Sequence, residues 1–385
     1  MAQVKIKTLT PVHIGSGRDL MRNTEFLFND NKVGIVDDKK VVDIIGVENI
    51  DKWVSIINKG ESLWDYLKQR KVDVSLEDVS NRIMSVYGSN ILQKQSLKEQ
   101  LHSAKLLPMI PGSSIKGAIR TAVISWLVNR NSEKVKSIID KNKRFFKSKK
   151  NNWEWNLRDF QQTETSILND LLSGSFKMDA NKNTFRFLQV SDFTFNYNTI
   201  ASNMQVVNFY RNKWDIKRGS DQLTEMIAPS AEAEGRILIN NTLLKSNIDK
   251  KEIRSEVEFL SSVSTLFNIV NEHTKNLVKR EIEMWKEDNL QVHEILGTYI
   301  DKLSDILQEI NSISENDAIL RIGGGSGWDS ITGAWAKTNT ELFDEHEYDI
   351  LVNLLNKGRD VVYYPKTRKM DEDGDMLGFV RLTII

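Results

Sequence analysis

Val4, Ile6 and Thr8 alternate with Lys5 and Lys7, the period of two expected of a half-buried strand, which Pro11 ends. Glu25 to Phe28 and Lys32 to Val36 read as two more strands around an Asn29-Asp30-Asn31 turn, and Val41, Val42 and Ile44 extend a β-rich opening. From Val47 to about Leu106 the period turns helical, with Trp53, Ile56, Ile57, Leu63, Trp64 and Leu67 as expected core contacts. Pro108 and Pro111 hold the next segment extended, and a helix is predicted to start within PGSSIKGAIRT, residues Pro111 to Thr121. Ser113 or Ser114 is its expected cap, and Ile115, Ile119, Ala122, Val123, Trp126 and Leu127 form its buried stripe.

Phe185, Phe187, Leu188 and Val190 predict a strand running into Asp192, and Met226 to Pro229 followed by Gly235 to Ile239 predict a hairpin of the same sheet. Long helical periodicity from Lys250 to Ile313 predicts a small bundle. A short strand, Ile319 to Ile322, then runs into glycines, and Val361 to Tyr364 with Leu377 to Ile384 predict a terminal hairpin around Asp373-Gly374. The sum is an α+β chain.

At 385 residues the chain is long enough for two domains or one large elaborated one. Lys plus Arg and Asp plus Glu both number 53, so no global field favours nucleic acid and any basic surface must be local. The absence of cysteine excludes disulfides, thiolate metal sites and cysteine nucleophiles, and is compatible with a reducing cytosol. No apolar run approaches the ~20 residues that span a bilayer, and the first residues read as a strand rather than a signal peptide. A soluble, cytoplasmic protein without a membrane partner is expected.

Three stretches carry candidate chemistry. Lys116 and Arg120, four apart beside a helix start, are either phosphate ligands or ordinary solvated cations. Lys116 precedes Gly117 and is followed by Ala118, so the motif is no P-loop. In VHIGSG, Gly15 and Gly17 let the backbone approach a ligand between His13 and Arg18, or make a simple tight turn. In GGGSGWDS, Gly323 to Ser330, successive unshielded amides can cradle a phosphate, or the glycines form a hinge. The loop's late position is a poor match to a dinucleotide fold, whose glycine loop follows a first strand. Two basic-aromatic segments, Lys141 to Trp155 and Tyr210 to Arg218, are open to reading as single-strand contacts or as surface loops, the second pinned by Trp214. The acidic turn Asp371 to Asp375 lacks the glycine position and the bidentate Glu of a calcium loop, so no metal is expected.

LTPVHIGSG, PGSSIKGAIRT, EMIAPSAEAEGRILI and RIGGGSGW, in that order, resemble the motifs of the RAMP superfamily of CRISPR RNA-binding proteins. Length, motif order and the helical insert are similar to those of the type III-A Csm complex subunit that caps the 3′ side of the guide RNA. The resemblance implies an RRM-like, ferredoxin-type core, duplicated or partly duplicated. It divides the chain into a module over 1–245 and one over 246–385. It also implies that Lys116 and Arg120 hold guide phosphates, that Ser113 and Ser114 offer hydroxyls and amides, and that Gly323, Gly324, Gly325, Ser326 and Gly327 offer backbone donors. His13, Gly15, Ser16, Gly17 and Arg18 would line the same groove.

The implied partners are the guide CRISPR RNA, the neighbouring backbone subunit and the small helical subunit, with target RNA and a host trimming nuclease as further ones. No cofactor is implied. Asp19 sits outside the Gly-x-Asp-Asn context in which related subunits cut target RNA, so cleavage is not expected. The alternatives are a metal-independent guide-processing endoribonuclease using His13, and a scaffold that touches RNA only incidentally. His102, His273, His293 and His346 lie scattered and define no further site.

Overall fold

A computed structural model describes residues 1–88, 94–146, 153–174, 183–197, 199–210, 213–250, 256–286, 291–292, 295–358 and 365–385. Lys147, Lys149, Lys150, His293 and the strand expected over 361–364 lie outside them. The chain begins with β1 (Ala2–Thr8), β2 (Gly15–Met21), β3 (Phe26–Asn29) and β4 (Lys32–Val36), then α1 (Asp38–Ile45), α2 (Ile50–Lys59), α3 (Leu63–Arg70) and α4 (Leu76–Val79). Strands β5 (Ser80–Tyr87), β6 (Ser96–Gln100) and β7 (Met109–Ile110) lead into α5 (Gly112–Arg130), α6 (Ser132–Lys141) and α7 (Trp153–Ser173). Next come β8 (Leu188–Val190), β9 (Phe193–Thr194), β10 (Thr199–Tyr210), β11 (Lys213–Ile216), β12 (Gln222–Ile227) and β13 (Glu232–Ile239). The last part holds α8 (Asn241–Asp249), α9 (Val263–Lys286), β14 (Gln291–Val292), α10 (Ile295–Ser312), β15 (Asp317–Arg321), α11 (Trp335–Thr338), α12 (Glu345–Leu355), β16 (Thr367–Met370) and β17 (Phe379–Ile384).

Among the described residues a five-stranded sheet has the order β15-β17-β1-β13-β8, and a ten-stranded sheet carries β2-β6-β12-β10-β5-β4-β3 with β11, β14 and β16 attached. Val4, Ile6 and Thr8 of β1 are buried as their alternation predicts, and β1 pairs antiparallel with both β13 and β17. The five-stranded sheet therefore takes strands from both sides of residue 245. Helices α5 and α9 pack against each other and against this sheet, and Ile115, Ile119, Leu266 and Val270 join Ile6, Ile237 and Leu382 in its core. The β3–β4 hairpin turns through Asp30 and Asn31, both at positive φ (48° and 56°), the conformation a two-residue hairpin loop requires.

The structure differs from the sequence expectations in five places. Val41 lies in α1 rather than a strand because Asp37 accepts from the amides of Lys39 and Lys40, capping a helix that buries Val41 and Ile45. The helical stretch expected up to Leu106 ends at Val79, and β5 then buries Met84 and Val86 in alternation. The predicted β12–β13 hairpin is absent: β12 pairs with β10 and β6 while β13 pairs with β1 and β8, the chain crossing between sheets at Pro229 and Ser230. Phe185 and Phe187, expected in a strand, lie in a 3-10 turn over Thr184–Phe187 ahead of β8. At the C-terminus β16 pairs with β10 and β17 with β1 and β15, and the first strand of the expected terminal hairpin falls outside the described residues.

Fifth, neither Ser113 nor Ser114 caps α5. The capping residue is Pro111, and the Gly112 amide donates to Asp192 Oδ1 at 2.8 Å. Gly112 needs to be glycine, because a Cβ there would lie 2.1 Å from the carbonyl oxygen of Val190. Further along, α9 and α10 form the helical pair expected before the glycine loop, with Val278, Ile282 and Trp285 facing Leu296, Tyr299 and Leu303. Among the described residues no helix is long and apolar enough to cross a membrane.

Candidate nucleic-acid interface

Two of the predicted glycine segments, more than three hundred residues apart by number, meet at the end of the five-stranded sheet. The Gly324 amide donates to the His13 carbonyl at 2.8 Å, and the Gly378 amide donates to the Pro11 carbonyl at 2.9 Å. Gly323 has φ +76°, and a Cβ on it would stand 2.4 Å from the His13 carbonyl oxygen. Substituting Gly323→Ala is therefore expected to cost about 1–3 kcal/mol of stability, read as a lowered denaturant midpoint. An unchanged midpoint would show that the two loops are not held by this contact.

His13 is 6% exposed. Its Nδ1 donates to the Glu225 carbonyl at 2.7 Å, which leaves the lone pair on Nε2 in the neutral ring. Burial lowers its pKa, the bond to the Glu225 carbonyl opposes that, and Lys369 and Lys98 reinforce it. The turn beyond it is tied down from below. Ser16 Oγ donates to Glu99 Oε2 at 2.8 Å, Arg82 Nη2 donates to Glu99 Oε1 at 2.8 Å, and Arg82 Nε donates to Glu225 Oε1 at 3.0 Å. The fully buried Glu225 carboxylate also accepts from Thr199 Oγ1 at 2.8 Å and the Gln100 amide at 3.1 Å. Gln100 Oε1 in turn accepts from the Ile14 amide at 2.8 Å. Gly15 opens β2, Gly17 has φ +89°, and Arg18, largely exposed, pairs with Glu25 at 2.6 Å.

The helix start is placed differently from this junction. Lys116 Nζ donates to the Leu188 carbonyl of β8 at 2.7 Å. Arg120 lies in the field of Glu164, whose Oε1 accepts from Trp335 Nε1 at 2.9 Å. Burial lowers the pKa of both cations. The α5 residues beside the glycine loop are instead Ala118, Thr121 and Ala122, on the helix face away from Lys116 and Arg120. Ser113 is exposed and Ser114 half-buried in the first turn.

The glycine loop lines a cavity of about 890 Å³. Its cations are Arg280 of α9, Arg321 of β15, Lys337 of α11 and Arg368 and Lys369 of β16, against Glu281, Asp329 and Asp349. Arg368 grips both Glu281 oxygens, Lys337 Nζ reaches Asp329 at 3.0 Å, and Arg321 donates to the carbonyls of Leu377 and Gly325 at 2.9 and 3.3 Å. A neutral chain thus concentrates cations at one place. Sequence reasoning missed these residues because they come from four separated elements with no local spacing. Glu225 was in reach, since it opens the EMIAPSAEAEGRILI motif.

Within the basic-aromatic segments, Trp214 and Phe146 pack against other rings, while Tyr210 is exposed. Trp214 is buried in β11 with its ring 4.5 Å from that of Trp285, and Phe146 sits edge-on to Phe343 at 6.2 Å. Lys143 pairs with Glu347 and Asp140. At the acidic turn, Asp371 accepts from the amides of Asp373 and Asp375 at 3.0 and 2.7 Å. Among the described residues no group of three metal-donor side chains forms.

Burial pushes His273 down to about 4 from 6.5, and lowers His13 and His102, so these rings fold neutral. Their stabilisation is complete above the unfolded value of about 6.5 and drains away as pH falls. Asp371 acts oppositely: burial lifts it to about 6 from 3.8, so its contribution is lost as pH rises across that window. Asp371→Asn keeps the acceptor oxygen and removes this offset. It is expected to steepen the fall in melting temperature between pH 6 and 4, and parallel wild-type and variant curves would contradict the assignment.

A family model described as the RAMP superfamily matches residues 5–328. The CRISPR system Cms protein Csm5 of Methanocaldococcus jannaschii is 23% identical over 413 residues, an alignment covering 100% of this chain and 89% of that protein. Among solved structures, a chain of the cryo-EM Csm-crRNA-target RNA ternary complex of a type III-A CRISPR-Cas system has a TM-score of 0.72 at 18% identity, covering 99% of this chain and 100% of that one. The crystal structure of T. onnurineus Csm5 has a TM-score of 0.64 at 19% identity over 98% of this chain and 99% of that one. At these identities the two solved structures show a common fold.

Proposed function

Because the chain belongs to the RAMP superfamily, we propose that it is the CRISPR RNA-binding subunit that caps a type III-A Csm effector complex on the 3′ side of the guide. In this reading it supports guide maturation and antiviral defence in the cytoplasm without cutting RNA itself. One observation carries it: the His13 turn and the glycine loop join beside a cation-rich cavity, in a fold shared along 99% of this chain with a member of a Csm-crRNA-target RNA complex.

The order β17-β1-β13-β8, with α5 between β1 and β8 and α9 after β13, is what two interlocked βαβ units produce. It supports an RRM-like core to which the modules proposed over 1–245 and 246–385 both contribute strands. His13 and Gly15 to Arg18, with Gly323 to Gly327, form the trough for the guide backbone, and the start of α5 with Ser113, Ser114, Lys116 and Arg120 flanks its path. The partners in this reading are the guide, the adjoining backbone subunit, the small helical subunit, target RNA and a trimming nuclease. The protein reads phosphate position, while sequence is read by base pairing of the guide.

Lys98 and Lys369 both lower the pKa of His13, and Lys98, itself paired with Asp19 at 3.3 Å, lowers that of Lys369, so the two cations lie close enough to hold one anion between them. Changing both to Ala is expected to weaken single-stranded RNA binding at all sequences alike. The slope of log affinity on log salt should fall by about 0.7 for each phosphate that is no longer neutralised. Slopes unchanged in this pair and in Lys116→Ala/Arg120→Ala would count against the reading.

The second reading, a guide-processing endoribonuclease, draws support from the unprotonated Nε2 of His13. Cleavage of labelled repeat RNA that His13→Ala abolishes would put it in place of the first.

A further inference from the structure

The cavity beside the glycine loop has a graded lining that a strand-binding trough does not require. Its floor is apolar and closed: Val270, Val278, Leu303, Leu320 and Phe379 are all buried. Its rim is open and polar, with Arg280, Gly327 and Asp349 exposed. The volume of about 890 Å³ lies within the range of roughly 300–1,000 Å³ typical of small-molecule sites. Most of its charges are already engaged. Glu281 holds Arg368, Asp329 holds Lys337, and Arg321 is bonded to two carbonyls.

The groups left over are informative. Among the described residues, Arg280 and Lys369 make no hydrogen bond or ion pair, and the amides of Gly325 and Gly327 donate to nothing. His273, also in the lining, has a buried Nε2 without a partner. Two cations without a hydrogen-bonded partner, Arg280 lying in the field of Asp329 and Glu283, and two free amides suit an anion. A buried, unpartnered imidazole nitrogen over an apolar floor suits a flat heterocycle with polar edge atoms.

We propose that this cavity binds a single nucleotide, with its base on the apolar floor at His273 and its phosphate at the rim between Arg280 and the amides of Gly325 and Gly327. Where that nucleotide belongs to a strand, the proposal rests on the RNA reading above, and the strand passes the glycine loop with one base turned inward. A free nucleotide would meet the same groups. Burial keeps the His273 ring neutral near neutral pH, so its nitrogen meets an uncharged base edge rather than a second phosphate.

The test uses the full chain in two arms. Ribonucleoside 5′-monophosphates are titrated calorimetrically, and single-stranded RNAs carrying 2-aminopurine at successive positions are followed by fluorescence. The expected result is one RNA position whose fluorescence rises on binding as its base leaves the stack. Arg280→Glu, on an exposed helix position, should abolish that rise and weaken monophosphate binding at least about ten-fold, one charge-assisted contact. His273→Phe, which fills the floor, should act likewise, with thermal melts confirming that each variant is folded.

A response to Arg280→Glu in either arm supports the proposal. RNA bound at full affinity with no responding position, and monophosphates indifferent to both variants, would overturn it and leave the RNA reading standing. Monophosphate binding without RNA binding would keep the site and overturn the RNA reading. Failure of both arms would remove both.

Discussion

Arg368→Met is expected to lower the unfolding free energy by about 3–5 kcal/mol, the cost of stranding a buried charge. Arg368 places Nε and Nη2 on the two oxygens of Glu281 and Nη1 on the carbonyls of Pro365 and Thr367 at 2.6 and 3.0 Å. Its guanidinium lies 5.8 Å from the ring centroids of both Trp214 and Trp285. Glu281 also accepts from Trp285 Nε1 and Tyr299 Oη, each at 3.2 Å. Methionine keeps most of the volume and none of the donors, so the carboxylate stays without its charge partner.

The titration of Glu281 gives the prediction its sign. Burial alone would raise its pKa, but Arg368 overrides that and holds it down to about 2, while burial beside Glu281 pushes Tyr299 up to about 12. A folded value below the unfolded 4.5 means stability present above pH 4.5 and lost as pH falls toward 2. Without Arg368 the burial effect is unopposed and the order reverses, so the variant should lose less stability than wild type on acidification. Arg368→Met/Glu281→Leu should recover most of the loss, because an apolar replacement of a whole buried pair is close to neutral. Denaturant midpoints of the four proteins measure this. A double variant no more stable than Arg368→Met would show that the loss is one of packing, not of stranded charge.

What could be read from the chain beforehand was whatever is local. The alternation of β1, the Asp30-Asn31 turn and the buried stripe of α5 each depend on residues within a few positions of one another, and each is found. The His13 turn and the Gly323–Gly327 loop were identifiable as unusual backbone for the same reason. Their meeting was implied only by the family resemblance and by no local pattern, since it is made by β1 pairing with β17, the two ends of the chain.

The errors have the same origin. Ser113 and Ser114 are sound caps on local grounds, but Asp192 reaches the Gly112 amide from eighty positions away and does the work of a cap. Lys116 looked like an exposed cation until β8 supplied the Leu188 carbonyl. Trp214 sits among basic residues in the sequence, yet its ring belongs to the core between α9 and β10 because β11 pairs with β10 and turns it inward. Residue type and spacing fix which groups can do chemistry; long-range strand pairing decides which of them face one another.

The same long-range logic makes Glu225 the other position where a single change should have a large effect. Glu225→Gln is expected to destabilise the protein by about 3 kcal/mol, near the lower end for breaking a buried pair, because Glu99 remains 2.8 Å from Arg82 as a second partner. The new amide group would face donors from Arg82, Thr199 and the Gln100 backbone that now share the carboxylate. Arg82 would then lean on Glu99 alone, in competition with Ser16 for the same carboxylate. The turn from Gly15 to Arg18 should loosen. The glycine loop should not, because it is tied to the His13 carbonyl, and His13 is tied to the Glu225 backbone, which the substitution leaves in place. Hydrogen exchange separates the two: faster exchange over residues 15–18 with unchanged protection at Gly324 is the expected pattern. Equal loss of protection in both segments would mean that the turn and the loop open as one unit, and that the carboxylate supports the whole junction rather than its His13 side alone.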